Sequence, residues 1–210
     1  MKILKIKKNT KGYTPIKDVL VESFAKLEEL YNRKQHITGV PTGFADLDYK
    51  TAGLHGSELV LVAARPAMGK TAFALNMAQN AAMATKEPVA IFSLEMSKEQ
   101  LVNRMISSMA EIDQQTLRNG RIYGEDWVRL VNAIAPLAEA PVFIDDTPAI
   151  SVREVRAKAR RLKAEHGLAM IIIDYLQLMQ GPAELRGMRE QEVAAISRTL
   201  NATAKEMNVP

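Results

Sequence analysis

Cysteine is absent from the 210 residues, which excludes a disulfide framework and any thiolate metal site. Histidine is scarce as well: His36, His55 and His166 are the only ones, and their spacing matches no zinc-ligand pattern. Long apolar runs are missing. The apolar stretches are strand-length and broken by charge or glycine, so neither a membrane span nor an export signal is expected. A soluble protein in an intracellular setting, with no membrane partner, is the expectation. With 47% of its residues hydrophobic, the chain still has the apolar content for a substantial core, most simply one domain with an appendage.

The charge excess is small. Lys plus Arg number 28 against 24 Asp plus Glu, a net +4 that permits a polyanionic partner without demanding one. Much of it is local: Lys2, Lys5, Lys7, Lys8 and Lys11 crowd the first residues with no acid among them. That run reads as a mobile or partner-docking arm, with ordinary solvation favoured over a nucleic-acid contact.

Thr14-Pro15 marks a helix start, after which Ile16, Val19, Leu20, Phe24, Leu27, Leu30 and Tyr31 recur at helical spacing. This apolar stripe on a charged helix needs a partner. Asn32 to Gly43 then reads as a linker, so residues 1–43 are expected to form an arm, a helix and a linker ahead of a domain at 44–210. In that domain apolar strands are expected at Leu59–Ala63, Val89–Phe92, Val142–Ile144 and Ala169–Asp174, separated by helices. Capping boxes at Ser97/Gln100 and Ser151/Glu154 open two of the helices, and Gly167 stops one. The alternation specifies an α/β fold with a mainly parallel sheet and helical layers on both faces. The sequence ends at Asn208-Val209-Pro210, where the alternation calls for a further strand, so it reads as truncated at that end.

Chemistry concentrates at Ala64-Arg65-Pro66-Ala67-Met68-Gly69-Lys70-Thr71, between an expected strand and a helix that takes in Ala72. This is the context of a phosphate-binding loop. Backbone N–H groups at the helix start would face the phosphates of a nucleoside triphosphate, Gly69 would keep a side chain out of their way, and Lys70 would set its ammonium against the β and γ oxygens. Thr71 would supply an oxygen to Mg²⁺. Ala64 stands where the motif has its first glycine, so the loop must enter through dihedrals that alanine tolerates. Arg65 could serve any of several contacts. Met170 to Asp174 is an apolar strand ending in a carboxylate suited to the metal side. Since Tyr175 follows it, a base for the attacking water must come from another strand end, and Glu95, just past the second strand, is the candidate. Asp145 and Asp146 end the third strand in the same way.

Ile37 to Phe44, Ala63 to Asn76, Phe92-Ser93-Leu94-Glu95-Met96, Ile144 to Pro148 and Ile173 to Leu178 together resemble the RecA-like motor domain of bacterial replicative DNA helicases of the DnaB family. The resemblance runs from about Lys17 to Pro210 and accounts for Ala64, a substitution the family shares. It implies ATP and Mg²⁺, with Lys70 and Thr71 on phosphate and metal, Asp174 as the metal-side carboxylate and Glu95 as the base. It also implies a homohexamer in which the helix Ile16 to Tyr31 docks on a neighbouring protomer. Single-stranded DNA, primase and a helicase loader are the implied partners, at the replication fork in the bacterial cytoplasm. In the family another strand lies between the phosphate-loop and Asp174 strands, and it and the arginine finger are not within these 210 residues. A RecA-type recombination or signalling ATPase, or a nucleotide-binding fragment without turnover, are the alternatives. For DNA, the helix after Ser151 is richest in charge, with Arg153, Arg156, Lys158, Arg160, Arg161 and Lys163. The loop Gln180–Gln191, with Arg186 and Arg189, follows the Asp174 strand directly and is the expected contact.

Overall fold

The computed structural model describes residues 13–33 and 36–210, so the lysine-rich run from Lys2 to Lys11 lies outside the described residues. The chain divides into two units, with the boundary between His36 and Ile37. The described part of the first is helix α1, Ile16–Arg33, whose opening amides at Asp18 and Val19 donate to the Pro15 carbonyl. Its stripe residues Ile16, Val19, Leu20, Phe24, Leu27, Leu30 and Tyr31 are all exposed.

The second unit begins earlier than the expected linker allows. Val40 bridges Leu54 in antiparallel fashion, and Thr42 is fully buried. Helix α2, Ala45–Thr51, was not anticipated, and it carries the reason. Its buried Asp48 accepts from the Thr42 amide and hydroxyl, both at 2.8 Å, and from the Gly43 amide at 3.0 Å. Three donors on one buried carboxylate fix residues 42–43 against the domain instead of leaving them as a tether.

Helix α3, Lys70–Thr85, is followed by strand β1, Val89–Ser93, and helix α4, Lys98–Ala110. A short α5, Gln114–Arg118, and α6, Glu125–Glu139, precede β2, Val142–Asp145. Helix α7, Val152–His166, β3, Met170–Asp174, and α8, Arg189–Met207, complete the unit. The three strands are parallel in the order β2-β1-β3, with Val89 opposite Val142 and Met170. Because strand side chains alternate, β1 serves two cores. Val89 and Ile91 pack with Leu75, Ala78, Leu101 and Met105 of α3 and α4, while Ala90 and Phe92 pack with Val155, Ala159, Ile196 and Leu200 of α7 and α8. Helices therefore cover both faces. Both capping boxes form as expected, and Gly167 caps α7.

One expected strand is absent. Leu59 to Ala63 takes no strand pairing, and Leu61 is 70% exposed. At the outer side of β3 the Ile171 amide donates to the Pro210 carbonyl at 3.0 Å. A cavity of about 470 Å³ is lined by both Leu59–Ala63 and Met170–Asp174. Strand conformation needs a ladder neighbour as well as apolar residues. Among the described residues Leu59–Ala63 has no ladder neighbour, and its apolar composition alone does not make it a strand.

Candidate nucleotide site

The phosphate loop turns on two left-handed residues, Ala67 at φ 63° and Gly69 at φ 86°, and Ala64 is not among the residues with positive φ. Alanine at position 64 therefore costs no strain, and the strained position of the loop is one that sequence patterning did not single out. A Cβ added at Gly69 would meet nothing within 4 Å. Glycine is there for its dihedral angle, and the space over it stays open. Residues Ala64, Arg65, Pro66, Ala67, Met68 and Gly69 are solvent-exposed, and α3 starts at Lys70, so the free amides at the head of the helix border that open space. Thr71 and Ala72 occupy its first turn. Phe73 follows, stacked on Phe44 with ring centroids 4.7 Å apart, which ties the helix to the α2 end of the domain.

Asp174, 103 residues downstream, closes on this loop. Its Oδ2 accepts from the Thr71 hydroxyl at 2.6 Å, and its Oδ1 lies 3.1 Å from Lys70 Nζ. The carboxylate is nearly buried while Lys70 retains partial solvent access. Lys70 Nζ also sits 4.0 Å from the centroid of the Tyr175 ring. An ammonium, a hydroxyl and a carboxylate thus converge beside open space at a helix N-terminus. That donor set suits a polyphosphate and a hard divalent cation, for which Thr71 and Asp174 would supply oxygen ligands.

Glu95 is exposed on the turn that follows β1. Three bonds position this turn, among them one from the Leu94 amide to the Asp174 carbonyl at 2.8 Å and one from the buried Ser93 hydroxyl to the Met96 carbonyl at 2.7 Å. The Met96 amide returns a bond to Ser93 Oγ at 3.2 Å. Ser93 pairs with Asp174 across β1 and β3, which brings the Glu95 turn to the same carboxyl edge of the sheet. Sequence reasoning assigns Ser93 no role, since nothing local shows that its hydroxyl closes the turn.

The two acids ending β2 serve the scaffold. Asp145 accepts from the Thr147 amide and from Lys158; burial pushes its carboxyl up, but those bonds outweigh it and hold it below the usual range. Asp146 accepts from the Lys98 amide at 3.0 Å and so caps α4.

A family description, the DnaB-like helicase C terminal domain, matches residues 39–210. The chain belongs to the DnaB-like helicase C-terminal domain family. It is 54% identical over 204 residues to the replicative DNA helicase DnaC of Bacillus subtilis (strain 168), and 53% identical over 204 residues to the replicative DNA helicase DnaB of Geobacillus stearothermophilus. Each alignment covers 97% of this chain and 45% of the relative, so the chain spans about half the length of the curated relatives it matches. Among solved structures, one described as an ATPase domain superposes with a TM-score of 0.86 at 35% identity, covering 94% of this chain and 69% of that one. A DnaB-like replicative helicase, described with its interactions with primase, gives 0.82 at 35% identity, covering 94% and 47%. The RecA-like architecture of these ATPase domains agrees with the parallel sheet found here.

In this DnaB-like domain the expected DNA-contacting residues are placed unequally. Arg186 follows a short 3-10 turn, Ala183–Leu185, in the loop after β3. Arg189 is not a loop residue. It heads α8, pairs with Glu192 at 2.7 Å and donates to the Gln177 carbonyl. Glu192 also accepts from the Gly181 amide at 3.1 Å; its bonds from Arg189 and from Gly181 hold its carboxyl below the ordinary range. The base of the loop is thus pinned through one carboxylate. Much of the competing basic cluster on α7 is spent internally. Arg156 and Arg160 pair with Glu206, Lys158 with Asp145, Arg161 with Glu165, and Lys163 donates to the Met207 carbonyl.

Proposed function

We propose that this domain is the ATP-hydrolysing motor of a bacterial replicative DNA helicase, coupling hydrolysis to movement along single-stranded DNA and to separation of the duplex. The observation that carries it is the convergence of Lys70, Thr71 and Asp174 beside the open space over Gly69, within a chain of the DnaB-like family. Lys70 and the amides at the start of α3 bind and orient the β and γ phosphates. Thr71 and Asp174 hold Mg²⁺, which when bound supplies charge neutralisation on the phosphate oxygens. Glu95 takes the proton from the attacking water, its carboxylate carried on a turn braced by Ser93 and by the Asp174 carbonyl.

The open stripe of α1 supports assembly as a homohexamer, with each α1 docked on a neighbouring protomer. Arg186, on the loop after β3, is the side chain best placed to meet a DNA phosphate, and Arg189 would have to leave Glu192 to join it. Primase and a helicase loader are the partners this reading assigns, in the cytoplasm at the replication fork.

The test is ATP binding and hydrolysis with and without oligo-dT for the wild type, Lys70→Ala and Glu95→Gln. Lys70→Ala should lose discrimination for the γ-phosphate. Glu95→Gln should bind ATP normally and lose hydrolysis. Equal and total loss of binding in both variants would remove the proposed division of labour.

A further inference from the structure

Among the described residues Lys70 has two partners, and only Asp174 belongs to the phosphate and metal machinery. The other is the half-buried ring of Tyr175, whose centroid lies 4.0 Å from Nζ. Both Asp174 oxygens are already engaged, one by Thr71 and one by Lys70. A carboxylate that turns toward a divalent cation gives up its share in the lysine, because the cation competes for the same oxygen charge. The ring does not face that competition. Its face carries a quadrupole, with no formal charge for a metal to claim and no lone pair to repel phosphate oxygens. Holding the ammonium there also restricts a flexible four-carbon side chain before nucleotide arrives.

We infer that Tyr175 is a positioning residue: its ring face holds the Lys70 ammonium at the mouth of the phosphate loop, so that the lysine reaches bound phosphate already ordered. This rests on the ATPase reading above for the identity of the phosphate ligand. The phenol hydroxyl takes no part in the contact with Lys70, so phenylalanine should serve equally well. Leucine keeps apolar bulk but loses the quadrupole.

Two measurements test the assignment. The first is the rate at which an N-hydroxysuccinimide acetate acylates Lys70 in the nucleotide-free chain, normalised to exposed Lys86 beyond the far end of the same helix and read by peptide mass spectrometry. Loss of a cation–π contact should raise that ratio about two- to fivefold in Tyr175→Leu and leave it unchanged in Tyr175→Phe. The second is the Kd for a fluorescent ATP analogue with Mg²⁺, which should rise by about the same factor in Tyr175→Leu alone. Should the leucine variant fail to fold, Tyr175→Met, unbranched and still non-aromatic, takes its place. An acylation ratio equal to wild type in the non-aromatic variant would overturn the contact. A raised ratio with unchanged Kd would overturn the positioning role, as would a Phe variant as impaired as Leu. A wild-type chain whose Lys70 is protected by the ring but which binds no nucleotide would overturn the ATPase reading, and with it the role given to Tyr175.

Discussion

Replacing Lys70 with alanine should do more than weaken nucleotide binding; it should destabilise the nucleotide-free fold. The Asp174 carboxylate has 7% side-chain exposure and two partners, Thr71 at 2.6 Å and Lys70 at 3.1 Å. A unit-charge pair at that separation attracts by about 5 kcal/mol at an effective dielectric near 20. Lys70 is 28% exposed, and both groups lose hydration on pairing, so most of that attraction is offset. Stranding the carboxylate with a single neutral donor should cost about 2 kcal/mol net. For a domain of this size that is a melting temperature lower by roughly 4 to 8 °C. Asp174→Asn in the Lys70→Ala background removes the stranded charge while leaving an oxygen for Thr71, so the double variant should melt at or above Lys70→Ala. Scanning calorimetry without nucleotide or Mg²⁺, backed by urea unfolding, measures both terms. An unchanged melting temperature for Lys70→Ala, or losses that simply add in the double variant, would refute the argument that the loop lysine holds the carboxylate in place.

Ser93→Ala removes two partly buried bonds from the turn that carries Glu95, and kcat for ATP hydrolysis should fall roughly ten- to a hundredfold while nucleotide Kd holds; steady-state kinetics beside a binding titration would show it. Replacing Phe24 and Leu27 of α1 with aspartate should weaken ring assembly by sedimentation without altering the melting of the 37–210 unit, because both side chains are exposed on their own helix. Glu192, held below its ordinary value by Arg189 and the Gly181 amide, anchors the loop after β3 as a carboxylate. Its folded value lies below its unfolded one, so the anchoring is fully present above the ordinary glutamate range and is lost as pH falls through the depressed value. Hydrogen exchange across residues 181–188 should therefore quicken, beyond the intrinsic pH effect, only on the acid side of that range.

Local signals were readable where the cause is local. Ser97 with Gln100 and Ser151 with Glu154 announce helix starts because each pair satisfies its own orphan amides, and both form here. The strands around Ile91, Ile144 and Ile172 were legible as unbroken apolar runs, although only β1 is buried along its whole length and β2 exposes Phe143. Leu59–Ala63 has the same composition and forms no strand, because pairing depends on a neighbour that composition does not report. Asp48 looks like an ordinary helix-surface acid until tertiary packing buries it under the Thr42 and Gly43 amides. Arg189 read as a loop charge because α8 opens without a side-chain cap, leaving no local mark of its first residue. At the nucleotide site the residue types of the phosphate loop and of Asp174 were apparent. The ring of Tyr175 was not, since what it touches lies over a hundred positions upstream.

The rung joining Ser93 to Asp174 has a further consequence, for which insertions this domain tolerates. Side chains on a strand alternate between faces, so a slip of one residue in β3 would turn Asp174 away from Lys70, and a slip in β1 would move the Glu95 turn off the Asp174 carbonyl. The spacing between Asp174 and the Glu95 turn is thus specified by hydrogen-bond register, not by the length of the chain connecting them. Within the 80 residues separating Ser93 from Asp174, added residues in the Asn119 to Gly124 turn should be absorbed with little effect on the site. A single residue added within Val89–Ser93 or Met170–Asp174 should abolish it, so a scan of single-residue insertions would trace the ladder as a narrow band of intolerance across an otherwise permissive chain.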